Sequence, residues 1–374
     1  MHRKPHFRAI LQHIEAREPE SSTASAGEDS NGAILRKIAA AIFAILGKTM
    51  SAVPTRRAFL QIAAAAAGTA TATWAQRGIG TQQQGAAPGG SPPPKTARVT
   101  SSLMLWTIKG SFEEKLATAA RVGFQSGELV SEHLKWTDAE ALRYRNLAQS
   151  YGMTIDALLG QHDWTKRPVT MVNPAHREGF LQDVRDSIVW AKKLNVPQII
   201  MMSGNEQPGM THEAQYASLV ESAKQAAAIA DQEDVKLILE NLNSKVDHHG
   251  YFLTSAKEAL QVVKEVDNPH FRFLFDLYHE FVQNGDPIPL IPEAAPYVAV
   301  FHVADAPGRH DPGTGEMKWD DIYKAIAKAN YAGYIAMEYH PQGDEVESLM
   351  KSVTQMRKDL NSVGSHEPAA MTPA

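Results

Sequence analysis

Eight short β-like apolar runs alternate with helix-period stretches between about residues 98 and 364, and this alternation predicts an α/β fold of the single-domain (β/α)8 barrel type. A unit recurs about every 33 residues, and the whole stretch is close to the roughly 250 residues such a barrel needs. A doubly wound open sheet is the weaker alternative, because no glycine-rich phosphate loop follows the first run, where that fold commonly carries one.

In chain order the apolar runs are Ser102–Trp106, Phe124–Val130, Thr154–Leu159, Gln198–Met202, Lys236–Leu239, Phe271–Phe275, Val298–Val303 and Tyr334–Met337. Each is the length of a strand rather than of a helix. Helical periodicity marks the intervening Phe112–Val122, His176–Leu194, His212–Ala230 and Ser255–Val266.

The residues before the barrel read differently. Thr55 to Gln61 form TRRAFLQ, and an uncharged alanine-rich stretch follows to Ala75, ending TWA before Gln76. An arginine pair, an apolar stretch and a small-residue cleavage site together make a twin-arginine export signal, expected to deliver a folded protein to the periplasm. Such signals sit at N-termini, so Met50 is the expected start and residues 1–49 an upstream extension; their apolar run, Ile38–Leu46, is too short to span a bilayer. Residues 76–97 are rich in Gly, Pro and Gln and read as a disordered linker, and 365–374 as a disordered tail. The expected organisation is therefore 1–49 leader, 50–75 signal, 76–97 linker, 98–364 barrel and 365–374 tail.

Composition narrows the chemistry. A formal net charge of −5 offers no basic face for a phosphate backbone, so nucleic acid is not an expected partner. No uncharged apolar run approaches the ~20 residues of a membrane span, so no membrane association is expected once the signal is removed. With Cys 0, any metal must be held by histidine and carboxylates. Oligomeric state is left open, a homo-oligomer included.

In a barrel the chemistry lies at the C-terminal strand ends, so the informative residues are polar ones that close an apolar run. Glu240 ends LILE, Asp276 ends FLFD, His302 follows VAVF and Glu338 ends YIAME, one βα unit apart on strands five to eight. Three carboxylates and an imidazole make an oxygen-rich site for one divalent cation, Mn²⁺ or Mg²⁺ in preference to Co²⁺ or Zn²⁺. A carboxylate solvated at the rim is the bland reading of any one of them. Four at matching ends, with no Lys or Arg at the neighbouring ends, favour coordination. Nearby stand His279, and Arg309 with His310 in the loop after strand seven, all suited to an oxygenated substrate. Structural roles compete for these: a satisfied core histidine for His279, a loop-ordering ion pair for Arg309. Glu128, His162 and Ser203 close strands two, three and four, supported by position alone.

The segments LILENLN, GYFLTS, FDLYHEFVQNGD, FHVADAPGRHDPGTGE and GYIAMEYHP together resemble the hydroxypyruvate isomerase family of xylose-isomerase-like barrels. The resemblance is strongest from Lys236 to Pro341 and thinner but co-linear from Ser101. It implies a (β/α)8 fold, a metal on Glu240, Asp276, His302 and Glu338, and a proton shuttle by Glu240 and Glu338 through an enediol. His279 and Arg309 match substrate-contacting positions in related keto-sugar epimerases. Where the family reads Glu-Pro-(Ile/Leu)-Asn, an Arg and Ile-Pro-Gly, this chain has Glu240-Asn241-Leu242-Asn243, Lys245 and Asp247-His248-His249-Gly250, so the loop over the substrate is altered. Asn243 and Lys245 are its expected substrate contacts, with Lys a point charge where the family has a planar Arg.

The reaction this implies is metal-dependent isomerisation of a small hydroxy-keto acid or sugar, hydroxypyruvate to tartronate semialdehyde first, with a keto-sugar 3-epimerase or another sugar isomerase as the alternative. Two other classes are more remote. Apurinic endonucleases of the same superfamily use three zinc ions, but this chain has Gly308 where they place an aspartate ligand, and its charge opposes DNA. A non-catalytic sugar-binding module would not need an intact glutamate pair.

Overall fold

The computed structural model describes residues 99–161 and 163–363. Its strands β1 (Thr100–Met104), β2 (Ser126–Leu129), β3 (Thr154–Leu159), β4 (Gln198–Met201), β5 (Lys236–Glu240), β6 (Phe271–Asp276), β7 (Val298–Val303) and β8 (Tyr334–Met337) pair in parallel and in sequence order, and β1 closes on β8. Parallel neighbours cannot be joined by a tight turn, so helices carry the chain back. They are α1 (Phe112–Val122), α2 (Asp138–Ser150), α3 (Arg177–Leu194), α4 (His212–Glu233), α5 (Ala256–Val266), α6 (Leu277–Asn284), the single turn α7 (Ile291–Ala294), α8 (Trp319–Lys328) and α9 (Glu345–Ser362). The expected (β/α)8 barrel is the fold. The leader, the twin-arginine segment, the linker, the tail and His162 lie outside the described residues.

Strands β3, β7 and β8 fall on their apolar runs. Two others differ for local reasons. β1 begins two residues before its run and stops at Met104, whose partner is Glu128; the rest of the run turns into a 3-10 segment, Leu105–Thr107. β2 omits Phe124, because its backbone N–H is spent on Ala119 O at the end of α1, where Gly123 adopts a left-handed φ of 100°. Capping boxes start α1 (Ser111 with Glu114) and α2 (Thr137 with Glu140), satisfying backbone donors that a helix start otherwise leaves unpaired. The apolar stripe of each helix packs on the barrel, as with Phe180, Leu181, Val184 and Ile188 of α3. Each such buried side chain is worth about 1.5–3 kcal/mol.

The barrel wall also buries polar residues. Ser102, Glu128 and Asp156 have no solvent exposure, and they sit below the mouth on β1, β2 and β3. Above β7 the chain folds into a tight loop, pinned by Asp305. Its carboxylate accepts the backbone N–H groups of Ala306, Gly313 and Met317 at 2.8, 2.7 and 3.1 Å, and its backbone bridges His310. The loop presents Arg309 from a left-handed φ of 56°, next to Gly308 at φ 98°. A Cβ on Gly308 would lie 2.6 Å from the His310 ring, so a side chain there would have to push that ring aside as well as adopt a left-handed backbone.

Asp305→Ala strands three backbone donors. At about 1–3 kcal/mol for each buried donor left unpaired, the variant should lose at least about 2 kcal/mol in urea unfolding followed by circular dichroism.

Candidate active site

Strand geometry alone brings the four polar ends together. In the β6–β7 register Asp276 lies opposite His302, and Glu240 and Glu338 flank them from β5 and from the end of β8. One ligand atom from each of the four lies within 4.8 Å of all the others, and all four residues are buried. His302 Nδ1 is 2.8 Å from Glu338 Oε2, 3.2 Å from Glu240 Oε1 and 3.8 Å from Asp276 Oδ2. His302 Nδ1 has no hydrogen-bond partner, and Glu338 Oε2 meets the Arg309 guanidinium as an ion pair without a hydrogen bond of good geometry. Buried carboxylate and imidazole atoms that converge on one point are what a bound cation satisfies, so the residues fit a divalent ion.

The residues behind the ring hold it in shape. His302 Nε2 bonds Glu128 Oε2 at 2.9 Å across the barrel, which leaves Nδ1 facing the carboxylates. Beyond Glu128 stands Asp156, whose Oδ1 accepts from Ser102 Oγ at 2.6 Å. Burial first, then the neighbouring Glu128, pushes Asp156 well above the ordinary carboxylate range. Asn241 clips β5 to β6 by accepting from Asp276 N at 3.1 Å and donating to Asp276 O at 3.2 Å. Asp276 Oδ1 also caps α6 by accepting His279 N–H at 2.7 Å, which leaves Oδ2 for the ring.

Electrostatics divides the carboxylates. Burial raises Glu240, and burial, opposed by Arg309, lifts Asp276 to about 7. Glu338 moves the other way: burial is outweighed by Arg309, whose Nη2 is 2.9 Å from Oε2, and by His302. His302 is raised because Glu128 and Glu338 outweigh its burial.

Above the ring lies a cavity of about 310 Å³, and it contains Glu240, Glu338, His279, Arg309 and His248. His279 is wholly buried and held well below its ordinary value by burial and then by Arg309, so it is neutral. Asn243 N–H points to its Nδ1 at 3.2 Å, placing the imidazole proton on Nε2, which has no protein partner. Arg309 stacks over Trp106 and Tyr278, 5.7 and 5.4 Å from their centroids.

The other expected substrate contacts lie elsewhere. Lys245 is exposed, with Nζ on Gln283 O at 2.6 Å, so it points away from the cavity. Asn243 is buried and turned onto its own loop: its Oδ1 accepts Val246 and Asp247 N–H, and Nδ2 donates to Asp247 at 2.6 Å. It positions His279 rather than facing a ligand. His310 Nδ1 lies 3.0 Å from His340 O, outside the lining. Ser203 is buried on Gly204 O. Glu128 acts from beneath the ring, one residue inside the end of β2.

Three residues were not singled out from sequence. Trp106 donates from Nε1 to Glu338 Oε1 at 3.1 Å, and Asp156 lies behind Glu128. His248 faces the cavity 5.2 Å from the His279 ring, lowered by burial and Arg309. A charged residue inside an apolar strand was the available signal for Asp156. Trp106 carried none, because a tryptophan in an apolar run reads as core.

Residues 116–358 match the model of the xylose isomerase-like TIM barrel family, and the chain belongs to that family. It is 28% identical to hydroxypyruvate isomerase from Escherichia coli over 247 residues, 66% of this chain and 94% of that protein. It is 25% identical to 2-oxo-tetronate isomerase from Pectobacterium atrosepticum over 240 residues, covering 64% and 90%. Among solved structures, a family 2 AP endonuclease from Brucella melitensis superposes with a TM-score of 0.61 at 24% identity, over 68% of this chain and 96% of that one, a likeness of fold.

Asp276→Ala or His302→Ala should abolish stoichiometric divalent metal by elemental analysis, with folding checked by circular dichroism. Glu128→Gln, which keeps shape but weakens the hold on His302, should lower metal affinity about 10- to 100-fold. Metal must displace protons held on His302, Asp276 and Glu240, so affinity should rise with pH through the region near the Asp276 value of about 7. Titration calorimetry at pH 6 and pH 8 checks the sign.

Proposed function

We propose that this protein is a divalent-metal-dependent isomerase that acts on a small 2-hydroxy ketone or hydroxy-keto acid, hydroxypyruvate first, through an enediol. The observation that carries this reading is the pair Glu240 and Glu338, which reach one cavity from strands on either side of Asp276 and His302 with opposite electrostatic bias. The similarity to hydroxypyruvate and 2-oxo-tetronate isomerases supports it. When bound, a cation such as Mn²⁺ or Mg²⁺ held by the four ring residues would polarise adjacent oxygens of the substrate and acidify the C–H between them.

The protein groups perform the rest. Glu338, kept ionised by Arg309, is the base that takes the carbon-bound proton, and Trp106 fixes the orientation of its other oxygen. Glu240, which reaches the cavity from the end of β5, is placed to return a proton to the neighbouring carbon or to the opposite face. The first outcome is isomerisation and the second epimerisation. Neutral His279 presents Nε2–H to a substrate oxygen, and Arg309 can fork onto a carboxylate while shielded from water by Trp106 and Tyr278. Gly308 stands where a three-zinc endonuclease places an aspartate ligand, and a net charge of −5 does not favour DNA, so both features speak for the isomerase reading.

Glu240→Gln and Glu338→Gln should each cost at least about two orders of magnitude in turnover while metal stays detectable. The test is a panel of hydroxy ketones and hydroxy-keto acids, followed by NMR for products and for C–H exchange in D₂O. Near wild-type exchange in either variant would place the shuttle elsewhere.

We infer in addition that the chain is exported as a folded protein by the twin-arginine route to the periplasm; the support is TRRAFLQ with its following apolar stretch. Replacing Arg56 and Arg57 by Lys should retain the protein in the cytoplasm, as cell fractionation would read.

A further inference from the structure

The cavity is polar on one side only. Among the described residues, every ionisable group in its lining comes from β5 to β8 or the loops that follow them, whereas the half built by β1 to β4 contributes Met104, Val130, Leu159, Trp164 and Met202. Val130, Leu159 and Trp164 are only half-buried, so they present apolar surface to the cavity space.

Polar groups do occur at the ends of β1 to β4, but they are turned away. Thr107 Oγ1 donates to Met104 O at 2.7 Å, Gln161 bonds the Met202 backbone through both ends of its amide, and Ser203 Oγ donates to Gly204 O. The indole N–H of Trp106 is spent on Glu338. Hydroxyls placed in that half would face mainly carbon, and a hydroxyl desolvated without a partner is penalised. The volume of about 310 Å³ also exceeds what a three-carbon acid seated on the ring would fill.

We propose that the substrate of this site is a hydroxy ketone or hydroxy-keto acid with a hydrocarbon substituent, aryl or branched alkyl, on the side remote from the ring, rather than a polyhydroxylated sugar chain. The proposal rests on the isomerase reading for the reacting end alone, and it sets a substrate with an apolar tail in place of hydroxypyruvate itself. The oxygens of the substrate lie against Arg309, His279 and the ring, and its tail lies among Val130, Leu159, Met202 and Trp164.

The test uses the full-length protein and two chelating probes that differ only in their tails, phenylacetohydroxamate and threonohydroxamate. Both are titrated by calorimetry onto the Mn²⁺-loaded and the metal-free protein. The aryl tail should bind at least about tenfold tighter than the polyhydroxylated one when Mn²⁺ is present, and the same order should persist more weakly without it. Val130→Thr, nearly isosteric, and Leu159→Gln should each shrink that ratio, with circular dichroism and metal content confirming an intact fold. Equal affinities, a preference for threonohydroxamate, binding of neither probe, or a ratio unchanged in both variants would overturn the proposal. An aryl preference without C–H exchange on any hydroxy ketone would instead sink the isomerase reading and leave the subsite standing. Exchange that favours polyhydroxylated substrates would do the reverse.

Discussion

Three carboxylates and an imidazole are buried within 4.8 Å of one another, and most of the mouth of this barrel is arranged around that concentration of charge. Desolvation alone would push such carboxylates to take up protons, as it does Asp276 and Glu240. The molecule meets this with opposite charge in two places: a guanidinium on the solvent side, Arg309, and a central position that suits a cation. Glu128 supports the arrangement from below, since an imidazole tied at Nε2 can only offer Nδ1 upward.

Precision in the ring comes from the backbone. Asp276 is at once strand end, helix cap and candidate ligand, so a displacement of β6 would cost the start of α6 as well as the site. Asn241 copies a strand hydrogen-bond pattern with its side chain and locks β5 to β6 just where Glu240 and Asp276 leave the sheet. The loop above β7 is tied by one buried aspartate, which lets Arg309 occupy a left-handed conformation that a free chain would seldom visit.

Division of the cavity follows from the division of the sheet. Among the described residues, one half of the lining carries the ionisable groups and the other is apolar, so charge is concentrated on one wall of the cavity. The loop bearing Asp247 to Gly250 lies between the two through His248, whose ring is near those of Trp164 and His279.

Much of this was legible in the sequence, and the reason is periodicity. Strands that are buried on both faces must be apolar throughout, so a carboxylate or histidine that closes such a run stands out, and Glu240, Asp276, His302 and Glu338 could be named from one-dimensional spacing. Arg309 and His279 lie close enough to those ends to share the site. Direction could not be read. Lys245 and His310 lie in the right loops yet turn outward, and Asn243 turns onto its own loop, because side-chain aim depends on local turns and caps rather than on sequence distance. Contacts across the barrel were hidden for a stronger reason. Glu128 meets His302 over 174 positions of chain, and Trp106 meets Glu338 over 232. Only closure of β1 onto β8 brings such residues within a hydrogen bond, and that closure is a property of the tertiary structure alone.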